Sequence, residues 1–151
     1  MGKLTGKVAI VTGAGGGLGR AHAMLLAHEG AAVIVNDLGG SRDGTGSGSS
    51  MADTVVDEIK AAGGQAAANY GSVTDDGAAE SMVKSAVDNF GRLDILINNA
   101  GILRDRSFKN MTDAEWDAVI DVHLRGSYLA TKHAWQQMMT QGEGGRIIMT
   151  S

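Results

Sequence analysis

The chain has 151 residues, 13 lysines and arginines against 17 aspartates and glutamates, and a formal net charge of −4. That balance argues against nucleic acid as the main partner, which calls for a basic face. The absence of cysteine excludes disulfides and thiolate metal sites, and no apolar run approaches the ~18 residues of a membrane-spanning helix. The expectation is a soluble, cytoplasmic globular chain with one core, no membrane partner, and a short polar start that runs into a strand and is not a signal peptide. Glycine is 23 of 151 and proline is absent. The glycines gather at 13–19, 39–48, 63–64 and 142–145, so they punctuate elements and do not repeat as in collagen.

Residues 8–11 form a short β-branched run ending at Thr12 and Gly13, which reads as a buried parallel strand. Residues 18–29 carry apolar positions at 21, 24, 25 and 26 and stop at Gly30, the pattern of a helix closed by glycine. A second strand, 33–35, ends at Asn36 and Asp37, and a loop occupies 39–50. Residues 51–62 place Val55, Val56 and Ile59 on one helical face before Gly63 and Gly64. An alanine-rich strand at 65–69 precedes a helix at 75–90 with Met82, Val83, Ala86, Val87 and Phe90 on one side. Residues 94–98 are the fourth strand. Thr112 with Glu115 matches a capping box, opening a helix that runs past His123 to about Met139 with a bend near Gly126. After a glycine turn at 142–145, residues 146–150 make the fifth strand. Strands alternating with helices imply βαβ units and a parallel sheet, an α/β fold.

The turn after the first strand carries the chemistry. The usual G-x-G-x-x-G fingerprint fails in every frame, and no Walker A lysine is followed by serine or threonine. The sequence instead reads Thr12-Gly13-Ala14-Gly15-Gly16-Gly17-Leu18-Gly19. Gly13 permits the tight turn, Gly17 clears space for a pyrophosphate at the helix start, Leu18 opens the helix and Gly19 lets it pack close to the sheet. A glycine-rich turn with no ligand is the plain alternative. Asp37, 18 residues after Gly19, falls near the ~20 spacing of an acid that accepts from the adenosine ribose. A carboxylate there repels a 2′-phosphate, and no lysine or arginine lies within 13–19, so NAD is favoured over NADP. Arg42 is the one nearby residue that argues otherwise.

Together with Asn98-Asn99-Ala100-Gly101 after the fourth strand, residues 12–19 resemble the short-chain dehydrogenase/reductase family over all 151 residues. The stretches Asn36-Asp37-Leu38-Gly39-Gly40, Gly101-Ile102-Leu103-Arg104-Asp105-Arg106-Ser107-Phe108 and Val122-His123-Leu124-Arg125-Gly126 resemble its (3R)-hydroxyacyl-CoA dehydrogenase branch, found in peroxisomal multifunctional enzymes and bacterial relatives. The resemblance implies a Rossmann-like, doubly wound parallel sheet of order 3-2-1-4-5, an NAD cofactor, contacts from Asn99, Ala100 and Gly101 to the cofactor pocket, and Ser72 and Val73 at the adenine ring. It implies hydride exchange at C3 of a 3-hydroxyacyl or 3-oxoacyl thioester, and a homo-oligomer for the full-length form.

The family's catalytic serine, tyrosine and lysine are expected beyond Ser151, so residues 1–151 are expected to be the NAD-binding part of a longer enzyme, without catalytic residues. Tyr128 and Lys132 fit Y-x-x-x-K but precede the fifth strand, on the wrong helix, and are read as an ordinary i,i+4 pair. His123 stands where many members have an asparagine that helps hold a relay water. Met138 and Met139 read as core or interface filler, with Trp135 and Met138 short of a covering neighbour. The scattered His22, His28 and His133 make no metal spacing. The reading from a different class is a non-catalytic NAD-binding module or partner subunit.

Overall fold

The computed structural model describes residues 2–40 and 48–151. Its strands are β1 Val8–Thr12, β2 Ala32–Asn36, β3 Gln65–Asn69, β4 Ile95–Asn98 and β5 Arg146–Met149. The helices are α1 Gly17–His28, α2 Ser50–Ala61, α3 Asp76–Phe90, α4 Asp113–Ile120 and α5 Gly126–Gln141. The strands form one all-parallel sheet in the order β3-β2-β1-β4-β5, as expected. Because side chains alternate faces along a strand, the unbroken apolar runs feed two cores. Ala9, Val11, Val33 and Val35 pack with Ala23, Val55 and Ile59 under α1 and α2. Val8, Ile10, Ala32 and Ile34 pack with Met82, Ala86, Ala130 and Ala134 under α3 and α5. Helices on both faces bury the sheet, which is the condition for strands apolar on both sides.

Two local expectations are refined. Helix α1 does not bury Leu25, which is 60% exposed. Its sheet-facing stripe is Gly19, Ala23 and, partly buried, Ala27. Small residues every four positions let the helix axis come close to β1. The helix after Thr112 begins with the full reciprocal capping box, then passes through a π-helical turn at Asp121–Arg125 before α5. There the Gly126 amide donates to Asp121 O, five residues back, which inserts one residue into the helix and makes the bend. Met138 is buried and Met139 is 66% exposed, so the pair splits between core and surface. The expectation that Met138 lacks cover is therefore wrong, because Met138 packs against Gly145 and the second core, whereas Trp135 is exposed.

At the amino ends of the strands, Asp94 is almost buried and fully engaged. Its Oδ2 accepts from the Val8 amide at 2.9 Å and from Arg92 Nε at 2.8 Å, and its Oδ1 from Arg92 Nη2 at 2.7 Å. Burial pushes the carboxyl up, but the Arg92 guanidinium, the Val8 amide and Lys7 outweigh it and hold it below the usual carboxylate range. A lowered folded value stabilises the fold above the unfolded pKa, and the contribution is lost as pH falls through the folded one. Asp94→Asn is therefore expected to cost about 2 kcal/mol at neutral pH, a melting-point drop of roughly 4–8 °C. The gap to the unmodified protein should close below about pH 4, which thermal melts across a pH series would show.

Candidate cofactor site

The turn from β1 into α1 has the backbone that its glycines allow. Gly13 takes φ +63, and a Cβ there would lie 2.8 Å from Ala100 Cα. This glycine therefore serves both the turn and the close approach of the segment after β4. Gly19 would put a Cβ 2.1 Å from Gly13 O and 2.5 Å from Asn99 Nδ2. The first helical bond runs from Arg20 N to Gly16 O. The amides of residues 17 to 19 thus precede the intrahelical ladder and are donors for an anion at the helix start.

Gly17 takes φ +53 with nothing within 4 Å of a Cβ position. The positive φ adds that a side chain here also strains the backbone. Gly17→Val is expected to abolish NADH binding and to cost about 1–2 kcal/mol of stability, measured by calorimetric titration and a thermal melt. Unchanged binding would remove the turn from the site.

Across the turn stands Asp37, partly buried at the end of β2. Its Oδ2 accepts from the Gly15 amide at 2.8 Å and its Oδ1 from the Gly39 amide at 2.7 Å. The carboxylate thus braces the glycine turn, and each oxygen keeps a lone pair for another donor. Arg42, the residue that favours a 2′-phosphate, lies outside the described residues.

A cavity of about 750 Å³ opens beside these groups. Gly13, Gly17, Asp37, Ser72, Val73, Asn99, Ala100 and Gly101 all line it. Leu18 and Gly19 do not: the Leu18 side chain is 68% exposed, leaving only its backbone amide for a ligand, and Gly19 lies behind the turn. The walls are tied together by polar groups. Buried Thr12 Oγ1 accepts from the amides of Asn99 and Ala100, both at 3.0 Å. Asn99 Nδ2 donates to Thr12 O at 3.1 Å and Gly13 O at 3.2 Å. Asn98 Nδ2 donates to Thr131 Oγ1 at 3.1 Å. The Asn99 bonds tie the segment after β4 to the end of β1, and the Asn98 bond ties β4 to α5.

His123, in the π-helical turn, packs its ring against Gly101, where a Cβ would meet Cε1 at 2.7 Å. Its Nε2 lies 2.9 Å from Ile102 O and 3.1 Å from Ile102 N. The ring therefore fixes the segment that follows Asn99. Tyr128 is 60% exposed and outside the cavity lining. Lys132 Nζ donates to Asp76 Oδ1 at 2.6 Å, and this contact raises the lysine pKa and helps lower that of Asp76. The Lys132–Asp76 pair links α5 to α3, and neither residue lines the cavity.

The sequence profile described as short chain dehydrogenase matches residues 7–151. The chain belongs to the short chain dehydrogenase family. It is 57% identical over 149 residues to the peroxisomal multifunctional enzyme type 2 of Mus musculus, covering 99% of this chain and 20% of that protein. It is 48% identical to a hydroxyacyl-CoA dehydrogenase of Mycobacterium tuberculosis, covering 96% of this chain and 45% of that protein. A crystal structure of a short chain dehydrogenase from Mycobacterium avium superposes with a TM-score of 0.89 at 50% identity, covering 99% of this chain and 53% of that one. The chain thus spans between 20% and 53% of the length of these relatives.

In this short chain dehydrogenase several cavity residues escape a local reading. Asn36, Leu38, Met51, Ile102, Arg104, Ala118, Asp121 and Val122 also line the space. Ala118, Asp121 and Val122 reach it because α4 and the π-helical turn lean over the carboxyl ends of the strands. No motif announces that placement; the capping box at Thr112 marks where α4 starts but not where it points. Among the described residues, no helix is long and apolar enough to cross a membrane.

Proposed function

We propose that residues 1–151 are the NAD-binding part of an oxidoreductase that exchanges hydride between NAD and C3 of a 3-hydroxyacyl or 3-oxoacyl thioester. The observation that carries the reading is Asp37. Its carboxylate is held by two amides at the cavity's edge, opposite the open helix start at Gly17. The residues fit a dinucleotide: free amides at 17–19 for a diphosphate, a space at Gly17 that any Cβ would invade, and a carboxylate for ribose hydroxyls. When bound, the nicotinamide supplies the hydride donor or acceptor. The chain's own groups bind and orient. The helix amides take the diphosphate, Asp37 takes the ribose, and Asn99, tied to Thr12 and Gly13, holds the segment 99–102 against the cavity. His123 fixes Ile102 from the far side. The proton is proposed to move on a serine, tyrosine and lysine beyond Ser151.

The thioester substrate is supported by the names of relatives, among them the hydroxyacyl-CoA dehydrogenase. A homo-oligomer is supported by exposed Trp116, Leu124, Tyr128, Trp135 and Met139 along α4, the π-helical turn and α5. We propose a cytoplasmic location; finding the protein in the peroxisome, the compartment in the mouse relative's name, would overturn it.

The test is NADH formation by the full-length protein from NAD and a 3-hydroxyacyl-CoA. Turnover is expected, and Tyr128→Phe is expected to leave it within about twofold, since a true proton-transfer group contributes ~10²–10⁴. A loss of that size in Tyr128→Phe would return the chemistry to α5. Tight NADH binding without turnover on any thioester would favour the non-catalytic module.

A further inference from the structure

The last paired residues of β1, β2 and β3 are Thr12, Asn36 and Asn69, side by side across the sheet. Thr12 and Asn36 each follow an apolar ladder, Val8 and Ile10 or Ala32 and Ile34, on the face toward α3 and α5, and Asn69 follows Ala67 on that face. Asn36 is 1% exposed. Its Nδ2 donates to Asn69 Oδ1 and to Gly71 O, both at 2.9 Å, with Asn69 O at 3.5 Å. Asn69 Oδ1 also accepts from the Gly71 amide at 3.0 Å. Gly71 is therefore held by its carbonyl and its amide at once. A Cβ on it would press on Ala78 Cβ at 3.0 Å and Asn69 Oδ1 at 3.1 Å.

The three residues after Gly71 are cavity wall: Ser72, Val73 and Thr74. The Ser72 and Thr74 hydroxyls bond each other at 2.8 Å. Val73 packs on Gly126, where a Cβ would come within 2.7 Å of Val73 Cγ2. Asn36 also touches the opposite wall through its backbone, because Ala14 N donates to Asn36 O at 2.9 Å. One buried residue therefore joins the glycine turn to the 71–74 wall. Burying an amide is unfavourable unless its bonds are made, and every bond this side-chain amide nitrogen makes is to Asn69 or Gly71.

We propose that Asn36 and Asn69 are positioning residues that set the 71–74 wall for the adenosine half of the dinucleotide and so tune cofactor affinity without touching the reacting atoms. The inference rests on the dinucleotide reading above. Asn69 is only partly buried, so its variants keep the core intact. Asn69→Ala removes the acceptor shared by Asn36 and Gly71. Asn69→Asp retains it, since a carboxylate oxygen accepts from both donors.

The experiment titrates the full-length protein with NADH and with ADP-ribose, which carries the adenosine half without nicotinamide. Asn69→Ala should weaken both by the same factor, roughly tenfold for two lost bonds, and Asn69→Asp should hold both within about twofold. A general loss of structure would not be rescued by aspartate. Unchanged affinity in Asn69→Ala, equal loss in Asn69→Asp, or weakening of NADH alone would each overturn the proposal. If the unmodified protein binds neither ligand, the dinucleotide reading itself fails and takes the positioning role with it.

Discussion

Gly19→Ala is expected to abolish NADH binding and to lower stability by about 3 kcal/mol, a melting-point drop of roughly 6–12 °C. The added Cβ would lie 2.1 Å from Gly13 O and 2.5 Å from Asn99 Nδ2. Neither neighbour is a flexible chain end. Gly13 O belongs to a turn already committed to φ +63 against Ala100, and Asn99 Nδ2 is bonded to both Thr12 O and Gly13 O. Relief requires α1 to move away from the sheet, which empties the contact of Ala23 and displaces the amides of residues 17 to 19. Stability and binding therefore fall together. The control is Leu18→Ala, one residue away, whose side chain is 68% exposed. It should change NADH affinity by less than about twofold, because only the backbone amide of residue 18 is available to a ligand. Calorimetric titration and thermal melts of the two variants separate the outcomes. A Gly19→Ala protein that melts and binds normally would mean the helix has slack that this packing does not show.

The fold was legible because its signals are local and repeated. Strand runs such as Val33, Ile34 and Val35 are too short for helices and too apolar for surface strands, and a glycine follows each of the first three helices. The alternation gives a parallel sheet, and the order 3-2-1-4-5 comes with the family that residues 12–19 and 98–101 resemble. The cavity's floor was legible for the same reason: Gly13, Gly17, Asp37 and Asn99 each sit at a strand end or a glycine, where ligands meet a doubly wound sheet.

What was not legible depends on where helices lean. Helix α1 carries leucines at 25 and 26, and hydrophobicity alone favoured both as buried. The stripe of Gly19, Ala23 and Ala27 decides the face instead, because close approach to β1 rewards small residues over large ones. The lining by Ala118, Asp121 and Val122 depends on the π-helical turn, and directly after it Gly126 sits against Val73 with no room for a Cβ. The row of Thr12, Asn36 and Asn69 was visible as letters at three strand ends. Its role required the register that aligns them.

The register also sharpens what Asp37 should do. The unmodified protein is expected to bind NADH at least about tenfold more tightly than NADPH, since a 2′-phosphate would meet the carboxylate at the end of β2. Both carboxylate oxygens already accept backbone amides, Gly15 at 2.8 Å and Gly39 at 2.7 Å. Asp37→Ala therefore removes two charge-assisted bonds of the fold along with the ribose contact. The preference should shrink to about threefold or less, and it should do so through NADH: an affinity loss of about tenfold for a lost bond to a charged group. NADPH should gain little, because the glycine turn that would hold its diphosphate loses its brace at Gly15. Asp37→Asn separates the two effects. One amide oxygen still accepts from Gly15 or Gly39, so stability should fall less than in Asp37→Ala while the charge against a 2′-phosphate is gone. Titration of all three proteins with both cofactors, alongside melts, reads these quantities directly. Equal affinity for NADH and NADPH in the unmodified protein would remove Asp37 as the selector, and tight NADPH binding by Asp37→Ala would show that the glycine turn stands without its carboxylate.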